Sequence, residues 1–439
     1  MAIIAVVGGS GFIGRHVAAA LVEAGQIVTV FAHDDFDIAR EDAAQMATKL
    51  LGVEVVVNCA GIARDGRLES LGGVNAEGAR RLAAACGAAN VRRLVHVSAL
   101  GADANDATRF QRSKGEGEKA IRGVEGLETV IVRPSLVLGA GGASGDFFAA
   151  LAALPVPPRL SRGEWRVQPL HVSELAELVT RLALDPAPPA SIDAVGPRVI
   201  TTDQLTTALR AWLGLRPAPA LALPRGFLNF FAWVNEVVEM GPGDREFVDL
   251  LERGNVSDPA AITAALGRAP LSFAESLERR PATIADLWRA RLYFLQPLLR
   301  LTLAILWIGT GLVSFGLYPP SEFFVMLGEL NLTGPVAEIA LFGAAAFNCV
   351  LGVLLLVNWR TALVAQAMLV LLILFSVFAL MLPHEYWLTP FAPILKNAPI
   401  AVALLTLIAL EPPLRAKKTA TAAPAALAAQ ASSQRARFV

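Results

Sequence analysis

Ile3-Ile4-Ala5-Val6-Val7-Gly8-Gly9-Ser10-Gly11-Phe12-Ile13-Gly14 opens the chain, and its reading decides the fold. Five apolar residues in a row read as a buried parallel strand. Glycines at 8, 11 and 14 follow at once, in the spacing of a phosphate-binding turn between strand and helix. Gly8 permits the tight turn. Gly11 lets the backbone approach a pyrophosphate, and Gly14 lets the next helix pack close to the strand. That helix, opening at Phe12 and Ile13, points its positive N-terminal end at the phosphates. The plainer alternative is a glycine turn with a purely structural role.

Outward from the loop, strands and helices alternate. Strands are expected at 3–7, 27–31, 53–58, 94–98 and 129–133. Helices are expected around 16–24, 43–51, 76–88 and 113–122. Val/Ile-rich strands separated by helices predict an α/β fold with a doubly wound parallel sheet, the Rossmann arrangement. Past residue 140 the alternation loosens and Pro155, Pro157, Pro158 and Pro169 appear. A small second lobe is expected there, drawn mainly from about 140–190 and 215–285. A further strand is read at 191–199, with helices at 172–182 and 202–213. Phe227, Phe230, Phe231, Val234, Val237 and Val238 recur at helical spacing. That helix reads either as core of the second lobe or as a face for a membrane or lipid-like substrate, with core the preferred reading.

The end of the second strand is where an adenosine ribose lies in such folds. His33, Asp34 and Asp35 stand there. A carboxylate accepting the ribose 2′-hydroxyl selects NAD and repels a 2′-phosphate. No arginine follows the strand closely, although Arg15 could serve a phosphate. NAD is therefore expected, with NADP open, and a solvated turn is the plainer reading of Asp34 and Asp35.

The last third changes character. Apolar segments at about 298–317, 335–357, 361–382 and 394–410 have membrane length, the last only marginally. They account for a mean hydropathy of +0.52, high for a soluble protein. Arg289, Arg291 and Arg300 precede the first. Arg360 lies between the second and third, and Arg415, Lys417 and Lys418 follow the fourth. The first loop carries Glu322 and Glu329 and no Lys or Arg. The positive-inside rule then places both termini in the cytoplasm of a multi-pass inner or plasma membrane protein. Asn348, Gln366 and Glu338 are the polar residues inside the spans; each reads as functional or as helix–helix glue. Tyr386 and Trp387 suit an interfacial belt. The expected organisation is a nucleotide domain over 1–285, a basic linker over 286–297, a four-span membrane domain over 298–410 and a disordered basic tail over 411–439.

With 38 basic and 38 acidic residues the net charge is zero, so nothing argues for nucleic acid. Cys59, Cys86 and Cys349 form no metal-ligand pattern. No basic region precedes the first apolar run, so it reads as a strand of the mature protein and not as a signal peptide.

Further motifs give a resemblance. Gly8–Gly14, Asp37, Asn58-Cys59-Ala60-Gly61, Asn75, Ser98, Lys114 and Arg133-Pro134-Ser135 resemble the extended or atypical short-chain dehydrogenase/reductases. Arg112-Ser113-Lys114-Gly115-Glu116-Gly117-Glu118, Pro169-Leu170-His171-Val172 and Phe247–Leu251 with Gly254-Asn255-Val256 are similar to the Rossmann-fold accessory subunits of respiratory complex I. The last third resembles DoxX-type membrane domains. The resemblance implies that the dinucleotide is held by Gly8, Gly11, Phe12, Ile13, Gly14, Asp34, Asp37, Ala60, Gly61, Lys114 and Arg133. It implies Ser98 and Lys114 as catalytic residues, membrane lipids as surroundings and a respiratory membrane complex as a candidate partner. In active members a tyrosine stands four residues before the lysine, where it passes a proton. Here that place holds Phe110, and Tyr293, Tyr318 and Tyr386 all lie at or beyond the membrane boundary. Either another group moves the proton or the nucleotide has a structural or sensing role. Lys114 could instead be a surface helix lysine beside Glu118, and Ser98 a strand-end hydroxyl. His171 and His96 read as structural at least as readily as functional.

Overall fold

The apolar run before the glycine loop forms strand β1 (Ile3–Val7), with Ile4, Ala5, Val6 and Val7 fully buried. It sits inside a parallel sheet in the computed structural model, which describes residues 1–66, 69–160, 164–238, 243–384 and 394–411. The other strands are β2 (Ile27–Phe31), β3 (Val55–Asn58), β4 (Arg93–Val97), β5 (Glu128–Pro134) and Ser191–Ala194. Their spatial order is Ser191–Ala194, β5, β4, β3, β1, β2. All pairs are parallel, with Ile4 facing Val28 on one side and Val55 on the other. The chain leaves β1 for β2 on one flank and crosses to β3 on the other. A crevice therefore opens beyond the carboxyl ends of β1 and β3, the place where doubly wound sheets take ligands.

Helices cover both faces, as continuous apolar strands require. On one face α1 (Phe12–Glu23) and α6 (Val172–Leu184) bury Val17, Leu21, Leu175 and Leu178 against the sheet. On the other, α2 (Ala43–Lys49) and α3 (Ala79–Ala88) bury Met46, Leu82 and Cys86. A π-helical segment, Gly72–Gly78, leads into α3. Helix α4 (Arg109–Arg122) starts four residues before its expected place, so Phe110 and Lys114 share it one turn apart.

The second lobe has its own core. Phe148 of α5 (Ala143–Ala153), Leu205 and Leu209 of α7 (Thr202–Trp212) and Leu251 of α9 (Arg245–Arg253) meet there. Helix α8 (Arg225–Val238) sends Leu228 and Ala232 into that core. Its aromatic residues do something else, considered below.

The chain divides into two units, Met1–Pro297 and Leu298–Val439. In the second unit the described residues include three helices long and apolar enough to cross a membrane: Ile284–Leu317, which begins in the first unit, Pro335–Leu356 and Thr361–Met381. The fourth apolar helix, Asn397–Leu410, has 14 residues. That is about 21 Å of helix against a hydrocarbon core of about 30 Å. Residues 286–297, read as a linker, are helical: they belong to Ile284–Leu312, with Pro297 inside it. The loop expected after the first span contains a short helix, Pro320–Glu329. Gly352 lies against Ala304 and Ile308, and Gly311 against Ala345 and Cys349, the close approach that small residues permit between membrane helices. Asn348 is buried in this packing, whereas Gln366 and Glu338 are exposed. Asn397 donates to Ser376 at 2.8 Å. Tyr386, Trp387, Arg415, Lys417, Lys418 and the tail past residue 411 lie outside the described residues.

Candidate nucleotide site

The glycine loop has the geometry its spacing implies. Gly11 N–H donates to Gly8 O at 3.0 Å, closing the turn. Gly8 has φ +71°, and a Cβ there would lie 2.6 Å from Ala60 N. The turn after β1 thus rests on the segment after β3, where Asn58 Oδ1 accepts from Ala60 N–H at 3.0 Å. Gly11 precedes α1 without a side-chain cap, and the first turn of α1 holds no acid. The orphan N–H groups of that turn are left for an anion. These residues fit a dinucleotide pyrophosphate. Arg15 does not face that position freely: its Nη2 donates to Ala140 O at 2.6 Å, and its guanidinium lies over the Phe12 ring.

At the end of β2, Asp34 and Asp35 are exposed and Asp37 is half-buried. Asp37 Oδ1 accepts from Ala39 N–H, and its other oxygen faces Arg40 and His33. Lys49 is paired with Glu41, and His33 also meets Glu69 at 3.2 Å. Arg40 and Lys49 at the ribose end therefore already face carboxylates, while Arg81 donates to the Ile38 and Ala39 carbonyls.

The structure rejects the surface reading of Lys114 and Glu118. Both are buried, at 6% and 2% exposure. Lys114 Nζ donates to Val97 O at 3.3 Å. A side chain on Gly61 would meet that ammonium at 2.7 Å and Asn75 Oδ1 at 3.1 Å. Lys114 therefore sits at the crevice, under the segment after β3. Burial lowers its pKa to about 8, against the pull of Cys59 and Glu118. Burial likewise raises the Cys59 thiol to about 12 and lowers His96 to about 3. His96 Nδ1 pairs with Asn58 Nδ2 at 3.0 Å.

Ser98 is buried and donates to Glu118 Oε1 at 2.6 Å. Arg133 Nε donates to the same carboxylate at 2.9 Å. Ser98, Glu118 and Arg133 thus form one cluster, and the serine hydroxyl is engaged within it. Sequence reading missed the pivotal Glu118, whose only local signal was its place one turn after Lys114.

Phe110 occupies the tyrosine position, with its N–H donating to Glu246 Oε2 at 3.2 Å. Tyr293, set aside on sequence as a boundary residue, belongs to the first unit, where its ring stands edge-on to Phe147 at 6.3 Å. His171 caps α6, its Nδ1 accepting from Ser173 N–H.

Residues 4–190 match the NAD dependent epimerase/dehydratase family, and residues 304–405 match the DoxX-like family. The chain is an epimerase/dehydratase-family domain joined to a DoxX-like domain. Its N-terminal part is an NAD(P)-binding domain of that family. A ceramide reductase of Caulobacter vibrioides is 32% identical over 188 residues, 40% of this chain and 58% of that protein. A mitochondrial NADH dehydrogenase [ubiquinone] 1 alpha subcomplex subunit 9 of Dictyostelium discoideum is 28% identical, over 45% of this chain and 60% of that one. The chain thus spans about three-fifths of these relatives. Among solved structures, human epimerase family protein SDR39U1 with NADPH superposes with a TM-score of 0.51 at 22% identity, covering 66% of this chain and 99% of that one. At that identity the likeness concerns the fold.

The lowered Lys114 pKa carries a stability prediction for the epimerase/dehydratase domain. The folded lysine gives up its proton near pH 8 and the unfolded one near 10.5. Between those values the unfolded chain holds more protons, so stability rises with pH. From pH 8 to 9 the gain approaches ~1 kcal/mol. The thiols of Cys59 and Cys86, both raised from 9.0 to about 12, already work in the opposite direction as pH approaches 9, because the unfolded thiols ionise first, and they offset much of that gain. Melting of detergent-solubilised protein at pH 7, 8 and 9 reads this. Lys114→Met should flatten the rise, and an unchanged slope would remove the buried ammonium as its source.

Proposed function

We propose that this protein is a membrane-held NAD(P)-dependent oxidoreductase at the cytoplasmic face, acting on a carbonyl or hydroxyl of a lipid- or quinone-like substrate. Lys114, and not a tyrosine, is its proton-carrying group. The observation that carries the reading is the burial of the Lys114 ammonium beside Gly61, which lowers its pKa to about 8. Proton donors work best with a pKa near the operating pH. When bound, a reduced nicotinamide would supply hydride to a carbonyl carbon and be left oxidised; Lys114 would give the oxygen its proton, leaving an alcohol and a neutral amine. Gly8, Gly11, Phe12, Ile13 and Gly14 hold the pyrophosphate, and Ala60 and Gly61 line the crevice. Asp34 and Asp37 make the ribose end acidic, which favours NAD over NADP. Ser98 and Arg133 act through Glu118 as positioning residues. In this reading residues 1–285 are the nucleotide domain and 298–410 the anchor. The resemblance to a ceramide reductase supports a lipid substrate.

A second reading rests on Phe110 and on the Ser98 hydroxyl being engaged by Glu118. It makes the domain a nucleotide-holding scaffold or redox sensor beside a respiratory membrane complex, supported by the resemblance to NADH dehydrogenase subunits.

One preparation separates the two. The protein is purified in mild detergent and denatured, and released nucleotide is identified by mass spectrometry. Nicotinamide oxidation is then followed with long-chain keto-lipids and quinones. Exchangeable nucleotide, with turnover that falls about a hundredfold or more in Lys114→Met, supports the oxidoreductase. A stoichiometric nucleotide that survives purification, with no turnover on any acceptor, supports the scaffold. Phe110→Tyr should raise turnover by no more than about threefold, because its serine partner is engaged elsewhere; restoring a working general acid would give about a hundredfold. A gain of that larger size would return the proton to the tyrosine position and remove Lys114 from the role.

A further inference from the structure

Helix α8 was read from its periodicity as core, with a face for a membrane or lipid-like substrate as the alternative, and the structure divides the helix between a buried and an exposed side. Leu228, Ala232 and Asn235, at i, i+4 and i+7, are buried. Phe227, Phe230, Phe231 and Trp233 are each about half exposed, at 48–54%. Leu221, on the short strand just before the helix, is 60% exposed. Five large apolar side chains thus reach the surface within 13 residues of sequence. The aromatic rings pack against one another, Phe227 edge-on to Phe231 at 4.8 Å and Phe230 tilted against Trp233 at 6.1 Å. A groove beside them is lined by Asn229, Phe230, Trp233, Arg245 and Asp249.

A clustered apolar patch on a folded surface marks an interaction site. Two observations specify its occupant. The described residues of the same chain include three helices of membrane length, the first beginning about 50 residues after α8 ends, so a bilayer is always within tether range. The helix that continues into that first span also leaves Ile284, Trp288 and Leu295 exposed on its part within the first unit. Phe and Trp are the residues that settle at a membrane–water boundary. The adjacent charges are spent on one another: Arg225 on Glu252 and Asp249, Arg245 on Glu236. Attraction to anionic headgroups is therefore not the driving force.

We infer that the aromatic face of α8 is a bilayer-docking surface, lying at the headgroup–acyl boundary and holding the second lobe against the membrane by apolar burial. This stands independently of the proton chemistry assigned to Lys114.

The test uses the full chain in phosphatidylcholine nanodiscs. A nitroxide is placed at Phe230→Cys and, separately, at Phe227→Cys; both sites are exposed, so the fold tolerates the change. Signal from the native cysteines is subtracted using the unsubstituted protein. Val22→Cys, on the exposed surface of α1, is the water-facing reference. The expected result is a ratio of oxygen to nickel-chelate collisions about tenfold above that reference, unchanged by 0.5 M salt (roughly a 4 Å Debye length) or by adding anionic lipid. Nickel access equal to the reference at both sites overturns the inference. Exclusion of both oxygen and nickel also overturns it, because it means a protein surface, from this chain or a second copy, covers the face.

Discussion

Gly8→Val is expected to abolish NAD(P) uptake, lowering affinity by about a hundredfold or more, ~2.7 kcal/mol. Two costs combine at this residue. Its φ of +71° is strained for any side chain and worse for a β-branched one, and a Cβ would press on Ala60 N at 2.6 Å. The turn after β1 must then move away from the segment after β3, and those two segments form the crevice walls. Gly25→Val is the informative control. Gly25 has a similar φ of +75°, but nothing lies within 4 Å of a Cβ there. It should lose stability and keep nucleotide affinity. Titration of NADH fluorescence against both solubilised variants reads the difference. Wild-type affinity in Gly8→Val would remove the loop from the site.

Glu118→Ala should cost about 3 kcal/mol of stability. The carboxylate is 2% exposed and receives Ser98 and Arg133, and Arg122 lies within 3.5 Å. Truncation leaves a buried hydroxyl and a partly buried guanidinium without their acceptor. For a domain of this size that corresponds to a fall of roughly 5 °C in melting temperature. The double variant Glu118→Ala/Arg133→Met should recover much of the loss, since it removes the stranded charge together with its partner. A single-variant loss below ~0.5 kcal/mol would show that the cluster is solvated and energetically idle.

Legibility in the sequence followed the range of the interaction. The glycine loop, the parallel strands and the membrane helices are local patterns, so spacing and hydropathy were enough. Glu118 was misjudged because its burial depends on Arg133, from a strand that follows α4 in the chain. Tyr293 was read at the membrane boundary and does lie on the helix that runs into the first span; its packing on Phe147 was not legible, because it depends on a distant part of the chain. Arg289 and Arg291 suggested a linker, yet they continue a helix in which Asp286 stands 4.0 Å from Arg289. In α8 the aromatic periodicity was read correctly and its burial was not. Apolar residues at helical spacing reveal a face without revealing whether protein or lipid meets it.

Asn75 binds three elements into one. From the π-helical segment, its amide donates to Ile62 O and to Ser113 Oγ, and its carbonyl accepts from Ile62 N–H. Ser113 is the neighbour of Lys114, and Gly117, one helical turn further on, lies against the Asn75 backbone carbonyl. The crevice wall after β3 and the helix carrying the lysine therefore cannot travel separately. Any shift of that wall that admits or traps the nucleotide carries the ammonium with it. If Lys114 carries the proton as proposed, capture and proton-donor placement occur as one event in time, and pre-steady-state traces should show a single phase where two independent parts would give two.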